Sequence, residues 1–195
     1  METIDHKSLG YILLNKKDSY NLTIYDKAFI FGCIEPDINF FTYMKGSIKF
    51  KKMFRGHQRI NSLDYILRVI DKLSRKDYLF LIDYYKLGRV IHYIADSFTF
   101  PHTNEFKGDI KEHAIYERKL HQFLEENKIK LFSYKKSNES NLKEYLLKMQ
   151  YKYTQNKPSI ENDLNYIINT CTTITRAILQ HEYQYITISF IPKMN

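Results

Sequence analysis

Between Tyr85 and Glu117 the chain reads YKLGRVIHYIADSFTFPHTNEFKGDIKEHAIYE, and five of its side chains could bind metal: His92, Asp96, His102, His113 and Glu117. His92 and Asp96 are four apart, which on a helix stacks them one turn above the other on one face. His113 and Glu117 repeat that spacing, and His102 follows Pro101, a helix stopper. Two helices thus each offer an imidazole and a carboxylate, with a third imidazole at the corner. Such nitrogen and oxygen donors suit zinc, which holds them at about 2.0 to 2.2 Å. One histidine and one acid share a helix face by chance in many proteins. Two such pairs and a linking histidine in so short a stretch are harder to dismiss.

The elements that must position these groups are helices. His6 precedes the apolar pattern Leu9, Ile12, Leu13, whose spacing predicts a helix to about Lys17. A second helix is expected over Leu22 to Phe31, ended by Gly32. Cys33 to Phe41 then reads as a loop, because Pro36 does not suit a helix interior and biases Glu35 to extended geometry. Asp37, next to that proline, has the commoner reading of a turn cap. Tyr43 to Arg55 shows no clean period and leads to Gly56 and His57 in a loop. A helix follows over Ser62 to Leu73, with Leu63, Ile66, Leu67 and Ile70 on one face. Ser74 is placed as the cap of a long helix from Arg75 to about Phe98, carrying Leu79, Ile82, Leu87, Val90, Ile91 and Ile94. It is apolar on more than one side, as a central helix is. The next helix, Asp109 to Glu126, has an apolar side of Ile110, Ile115, Leu120 and Leu124. Lys135 to Ser140 reads as a loop, and helices are expected over Asn141 to Tyr153 and Ile160 to Tyr185. The last ten residues, ITISFIPKMN, alternate like a short strand and read as a packed tail.

Length and composition agree with that reading. A chain of 195 residues and 23.5 kDa is expected to form one domain, residues 1–195, with a substantial core. Only 6 glycines and 4 prolines leave little room for the many turns of an all-β fold, so long helices are favoured. The formal net charge of +8 suits an anionic partner: a phosphate-bearing substrate, a nucleic acid or an acidic membrane surface. A lysine-rich solvated surface explains the excess equally well. Cys33 and Cys171, far apart in apolar surroundings, read as reduced core thiols and not as a disulfide framework. The N-terminal METIDHKSLGYILLNKK lacks a basic-then-apolar signal pattern, and no stretch approaches the ~20 apolar residues of a membrane span. The expectation is a cytoplasmic protein, or a secreted one if a leader has been removed.

Taken together, PDI at Pro36 to Ile38, GH at Gly56 and His57, HYIADSFTFPH at His92 to His102 and HAIYE at His113 to Glu117 resemble the bacterial zinc-dependent phospholipases C. The fungal zinc nucleases that cut single strands are more distant relatives of that family. The resemblance runs from His6 to Glu117 and implies an all-α domain with two to three zinc ions in a cleft. By position it implies that Asp37, His57, His92 and Asp96 hold one zinc, and that His102, His113 and Glu117 hold a second. A third would be held by His6 and Asp96 with the amino-terminal residue, so that Asp96 bridges two metals. In the family that residue is a tryptophan exposed by leader removal. Here the chain has no tryptophan, and Met1 lies five residues before His6, close enough for its own amine to ligate. Glu2 disfavours removal of Met1. His121 continues the face of His113 and Glu117, but the family has no ligand there, so it reads as a polar neighbour.

The implied chemistry is hydrolysis of a phosphodiester, ahead of a monoester, by a metal-activated water, with Asp37 touching metal and orienting or deprotonating that water. The implied substrate is a phospholipid. Phe54 matches an aromatic of choline-preferring members, whereas Ile38 stands where an aromatic would. Two other readings stay open. One is a nuclease or nucleotidase of the same superfamily, which the positive charge favours and the short His102 to His113 gap and terminal Glu117 disfavour. The other is a non-catalytic helical protein with structural zinc, against which three ligands at His102, His113 and Glu117 leave an open position.

Overall fold

A computed structural model of the chain describes residues 1–16, 19–39, 59–131, 139 and 141–189. Among these residues the regular structure is helical throughout: α1 (Thr3–Leu13), α2 (Ile24–Ile38), α3 (Arg59–Leu73), α4 (Leu81–Ser97), a 3-10 turn at Phe100–His102, α5 (Ile110–Leu131), α6 (Leu142–Thr154) and α7 (Ile160–Ser189). The long helices favoured by scarce glycine and proline, and the all-α class implied by the resemblance, are what the described residues adopt. The expected loops over Tyr43 to His57 and, apart from Glu139, over Lys135 to Ser140 lie outside the described residues, as does Phe54.

Local chemistry sets the helix ends. Thr23 and Asp26 form a capping box: the Asp26 amide donates to Thr23 Oγ1 (3.0 Å) and the Thr23 amide to Asp26 Oδ2 (2.9 Å). Asp109 and Glu112 do the same for α5, at 2.8 and 2.9 Å. Helix α1 stops at Leu13, earlier than the apolar period predicts, because Asn15 takes the left-handed conformation (φ 54°) and lets the Lys16 amide reach back to the Tyr11 carbonyl (2.9 Å). Helix α4 starts at Leu81 and not at Arg75: Asp83 accepts the Phe80 amide (3.0 Å) and the Lys76 ammonium, and Ser74 instead bonds back to the Asp71 carbonyl.

The largest departure from expectation is α2, which runs straight through Gly32 and Pro36 to Ile38. Gly32 serves a helix crossing and not a helix end, since a Cβ there would lie 2.2 Å from the Tyr85 carbonyl oxygen of α4. Pro36 sits in the last turn, where one missing amide bond is tolerated, and the Asn39 amide closes the helix on the Glu35 carbonyl (2.9 Å). Residues 186–189, expected to alternate like a strand, continue α7 as helix; the rest of that tail is outside the described residues.

Helix α4 is central, as its apolar faces imply. Leu87, Val90, Ile91, Ile94 and Ala95 are all fully buried, in one cluster with Phe29, Cys33, Ile66, Ile70, Leu120, Leu124, Leu146, Ile167, Cys171 and Ile174. Ile82, Ile110 and Ile115, expected in that core, are exposed; Asp83 and Tyr84, next to Ile82 in the same turn, are buried, so Ile82 lies on the outer face of its helix. Both cysteines are buried free thiols, as expected. Contacts between α2 and α4 climb in step, Tyr25 with Tyr84, Gly32 with Gly88, Cys33 with His92, so the two helices run in the same direction. Their C-terminal ends, where the helix dipole is negative and favours cations, therefore lie side by side. No described helix is long and apolar enough to cross a membrane.

Candidate metal centre

The ends of α2 and α4 bring Asp37, His92 and Asp96 together. His92 Nδ1 bonds the Cys33 carbonyl oxygen at 2.8 Å, and since a carbonyl only accepts, the proton sits on Nδ1. Nε2 then faces Asp96 Oδ2 at 3.4 Å and Asp37 Oδ1 at 3.6 Å. An imidazole fixed in this way by a backbone carbonyl is the arrangement that metal-binding histidines adopt. Burial lowers the pKa of His92, but Asp96 and Asp37 outweigh it and raise it, so positive charge is favoured at this point.

His6 approaches the other oxygen of the same carboxylate, with Nε2 3.1 Å from Asp96 Oδ1, and its ring stacks on His92 with centroids 3.9 Å apart. Burial and the neighbouring His92 push its pKa down to about 3, so His6 is neutral, with a lone pair available to a metal. Its Nδ1 is buried without a hydrogen-bond partner among the described residues. The Met1 amine lies between Asp96 Oδ1 (3.0 Å) and Glu117 Oε1 (2.8 Å), out of contact with solvent. Burial disfavours its charge, yet the two carboxylates prevail and push its pKa up to about 11. A cation is therefore stabilised at this place.

The turn after α4 and the first part of α5 supply the remaining donors. His102 Nε2 and His113 Nε2 each lie 3.2 Å from Glu117 Oε1, and His102 Nε2 is 3.9 Å from Asp96 Oδ1. The His102 turn works as expected: Pro101 starts it, and the His102 amide bonds the Thr99 carbonyl (2.8 Å). Burial would raise the pKa of Glu117, but His102, His113 and the Met1 amine hold it far below the usual carboxylate range. Asp96 is likewise held low, against its burial, by the Met1 amine and by His102, His92 and His6.

Two donors each about 2.1 Å from a tetrahedral ion lie roughly 3.4 Å apart. The separations within His6, His92 and Asp96, and within His102, His113 and Glu117, have that size, and the ligand atoms of each group lie within 4.8 Å of one another. The residues fit zinc. His6 and His92, assigned to different ions with Asp96 between them, lie on the two oxygens of that one carboxylate, and their rings are in contact. Asp96 is thus placed to serve two groups. Asp37 stands beside them, partly open to solvent, bonded by the Thr3 hydroxyl (2.9 Å), with its pKa raised by burial. His57 lies outside the described residues.

Several buried carboxylates outside the cluster carry no sequence signal. Asp5 is fully buried and bonded by His121 Nδ1 at 2.6 Å, which gives the supposed polar neighbour a structural task between α1 and α5. Glu35, also buried, pairs with Arg89 at 3.2 Å, and Arg89 lies over the rings of Tyr65, Tyr85 and Tyr93. Asp163 on α7 gathers Phe100, Tyr116 and Tyr153.

Imidazoles and carboxylates at one end of a helical bundle, with spacings suited to shared ions, define an all-α protein of the metal-site class. The family described as zinc-dependent phospholipase C matches residues 5–179, a span that holds every candidate ligand except Met1. The chain belongs to that family. Neither a curated protein nor a solved structure is a significant match.

Proposed function

We propose that the protein hydrolyses a phosphodiester, in first place that of a phospholipid, on the side that yields diacylglycerol and a phosphorylated headgroup. The observation that carries this reading is the meeting of His6, His92, His102 and the Met1 amine around Asp96, beside Glu117, in a member of the zinc-dependent phospholipase C family.

His102, His113 and Glu117 would hold one zinc, and Asp37, His57, His92 and Asp96 a second. Met1, His6 and Asp96 would hold a third, for two to three ions per chain. Zinc so held lowers the pKa of a bound water toward neutrality and neutralises phosphate oxygens. With only three protein ligands, the group at His102, His113 and Glu117 would keep a position open for water or substrate. Asp37 is the candidate base, because its raised pKa favours accepting a proton and its partial exposure lets it reach a water in the cleft. The Thr3 hydroxyl, donating to Asp37 Oδ2, aims the other oxygen.

The test is release of phosphorylated headgroup from mixed micelles, run beside cleavage of single-stranded nucleic acid. Headgroup release supports the lipase; nucleic-acid cleavage without it transfers the site to the nuclease reading. His92→Ala should abolish activity and keep a helical spectrum, and full activity in that variant would refute the site.

A further inference from the structure

We propose that Asp163 is a positioning residue of the zinc site: it locks the turn carrying His102 to the helix carrying His113 and Glu117. This rests on the zinc reading above.

Asp163 is fully buried in the first turn of α7, and among the described residues its hydrogen-bond partners are Phe100, Tyr116 and Tyr153 and not the candidate ligands. Its Oδ2 accepts from the Phe100 amide and from the Tyr116 hydroxyl, both at 2.8 Å, while Oδ1 accepts from the Tyr153 hydroxyl at 2.8 Å. Phe100 lies two residues before His102, and Tyr116 immediately before Glu117. One carboxylate oxygen therefore joins the two pieces of chain that must supply the three donors of one ion. The turn cannot orient itself. It is a single 3-10 turn whose internal bonds, His102 amide to Thr99 carbonyl and Thr103 amide to Phe100 carbonyl, fix its shape but not its direction. Aromatic contacts extend the same link, Phe100 to Phe106 at 5.5 Å and Phe106 to His113 at 6.1 Å.

The choice of a carboxylate is explained by the three donors. An ionised Asp only accepts, so all three bonds are charge-assisted, and the N-terminal end of α7 favours the negative charge. Burial pushes its pKa up to about 6, a cost that an apolar residue would avoid if packing were the sole need.

Zinc affinity, read by competition with a chromophoric chelator, tests the proposal with four variants. His113→Ala identifies the affinity class of the His102, His113 and Glu117 group by removing it. Asp163→Ala should weaken that same class by roughly 10- to 100-fold, the usual loss for an outer partner of a ligand, and leave the others within about twofold. Tyr116→Phe should weaken the same class by a smaller factor. Tyr153→Phe, which touches only the far oxygen, should lower thermal stability and leave every zinc class unchanged. Uniform weakening of all classes, no weakening, or a zinc loss in Tyr153→Phe equal to that in Tyr116→Phe would overturn the proposal. If Asp163→Ala does not fold, the two tyrosine variants decide. A wild type with no class lost in His113→Ala refutes the zinc reading, and the positioning role with it.

Discussion

Gly32 on α2 and Gly88 on α4 face each other so closely that a Cβ on Gly88 would lie 2.1 Å from the Phe29 carbonyl oxygen. Neither glycine has a positive φ, so both are required for space and not for backbone conformation. The approach lets the Cys33 carbonyl reach His92 Nδ1 one turn further on. Gly88→Ala should therefore destabilise the protein by about 1 to 3 kcal/mol in urea unfolding, as overpacking does, and weaken zinc binding as α2 moves away. Gly10, inside α1, is the control. A Cβ there meets side chains at 3.5 Å, an ordinary contact, so Gly10→Ala should stabilise by about 0.5 to 1 kcal/mol. Equal effects of the two substitutions would refute the crossing.

The His121 and Asp5 pair predicts a pH dependence. The hydrogen bond that His121 donates to Asp5 raises the pKa of His121 above its ordinary 6.5. A raised histidine pKa gives stability that is complete below the unfolded value and is lost as pH rises through the folded one. His121→Gln should accordingly cost about 1 kcal/mol at pH 5.5 and measurably less at pH 9. A cost that grows with pH would show that the ion pair is not what His121 contributes.

The Met1 amine between Asp96 and Glu117 predicts that the chain's first residue matters for metal content. One residue added before Met1 should remove one zinc equivalent and leave the others bound, as read by elemental analysis. Unchanged zinc content in the extended chain would exclude the amine as a ligand.

His92 with Asp96, and His113 with Glu117, are visible in one dimension because a helix turns four-residue spacing into a shared face. The helices themselves were visible for a similar reason, in the apolar patterns of α1, α3 and α4. Gly32 misled because glycine locally favours ending a helix, and the contact with Gly88 that requires it lies far along the chain. Pro36 misled because nothing local marks it as lying in a last turn, where its missing amide is tolerated. Asp163 and Asp5 are unremarkable acids in first turns, and their partners come from other helices, so no local pattern marks them.

Zinc per chain, measured by elemental analysis on untagged protein after exhaustive dialysis, bears most directly on the site. A value of two to three is predicted, with three implicating Met1 and His6. A value near zero, in a chain whose helical spectrum is intact, would contradict a metal-dependent hydrolase and leave a helical protein whose clustered imidazoles and carboxylates bind no metal.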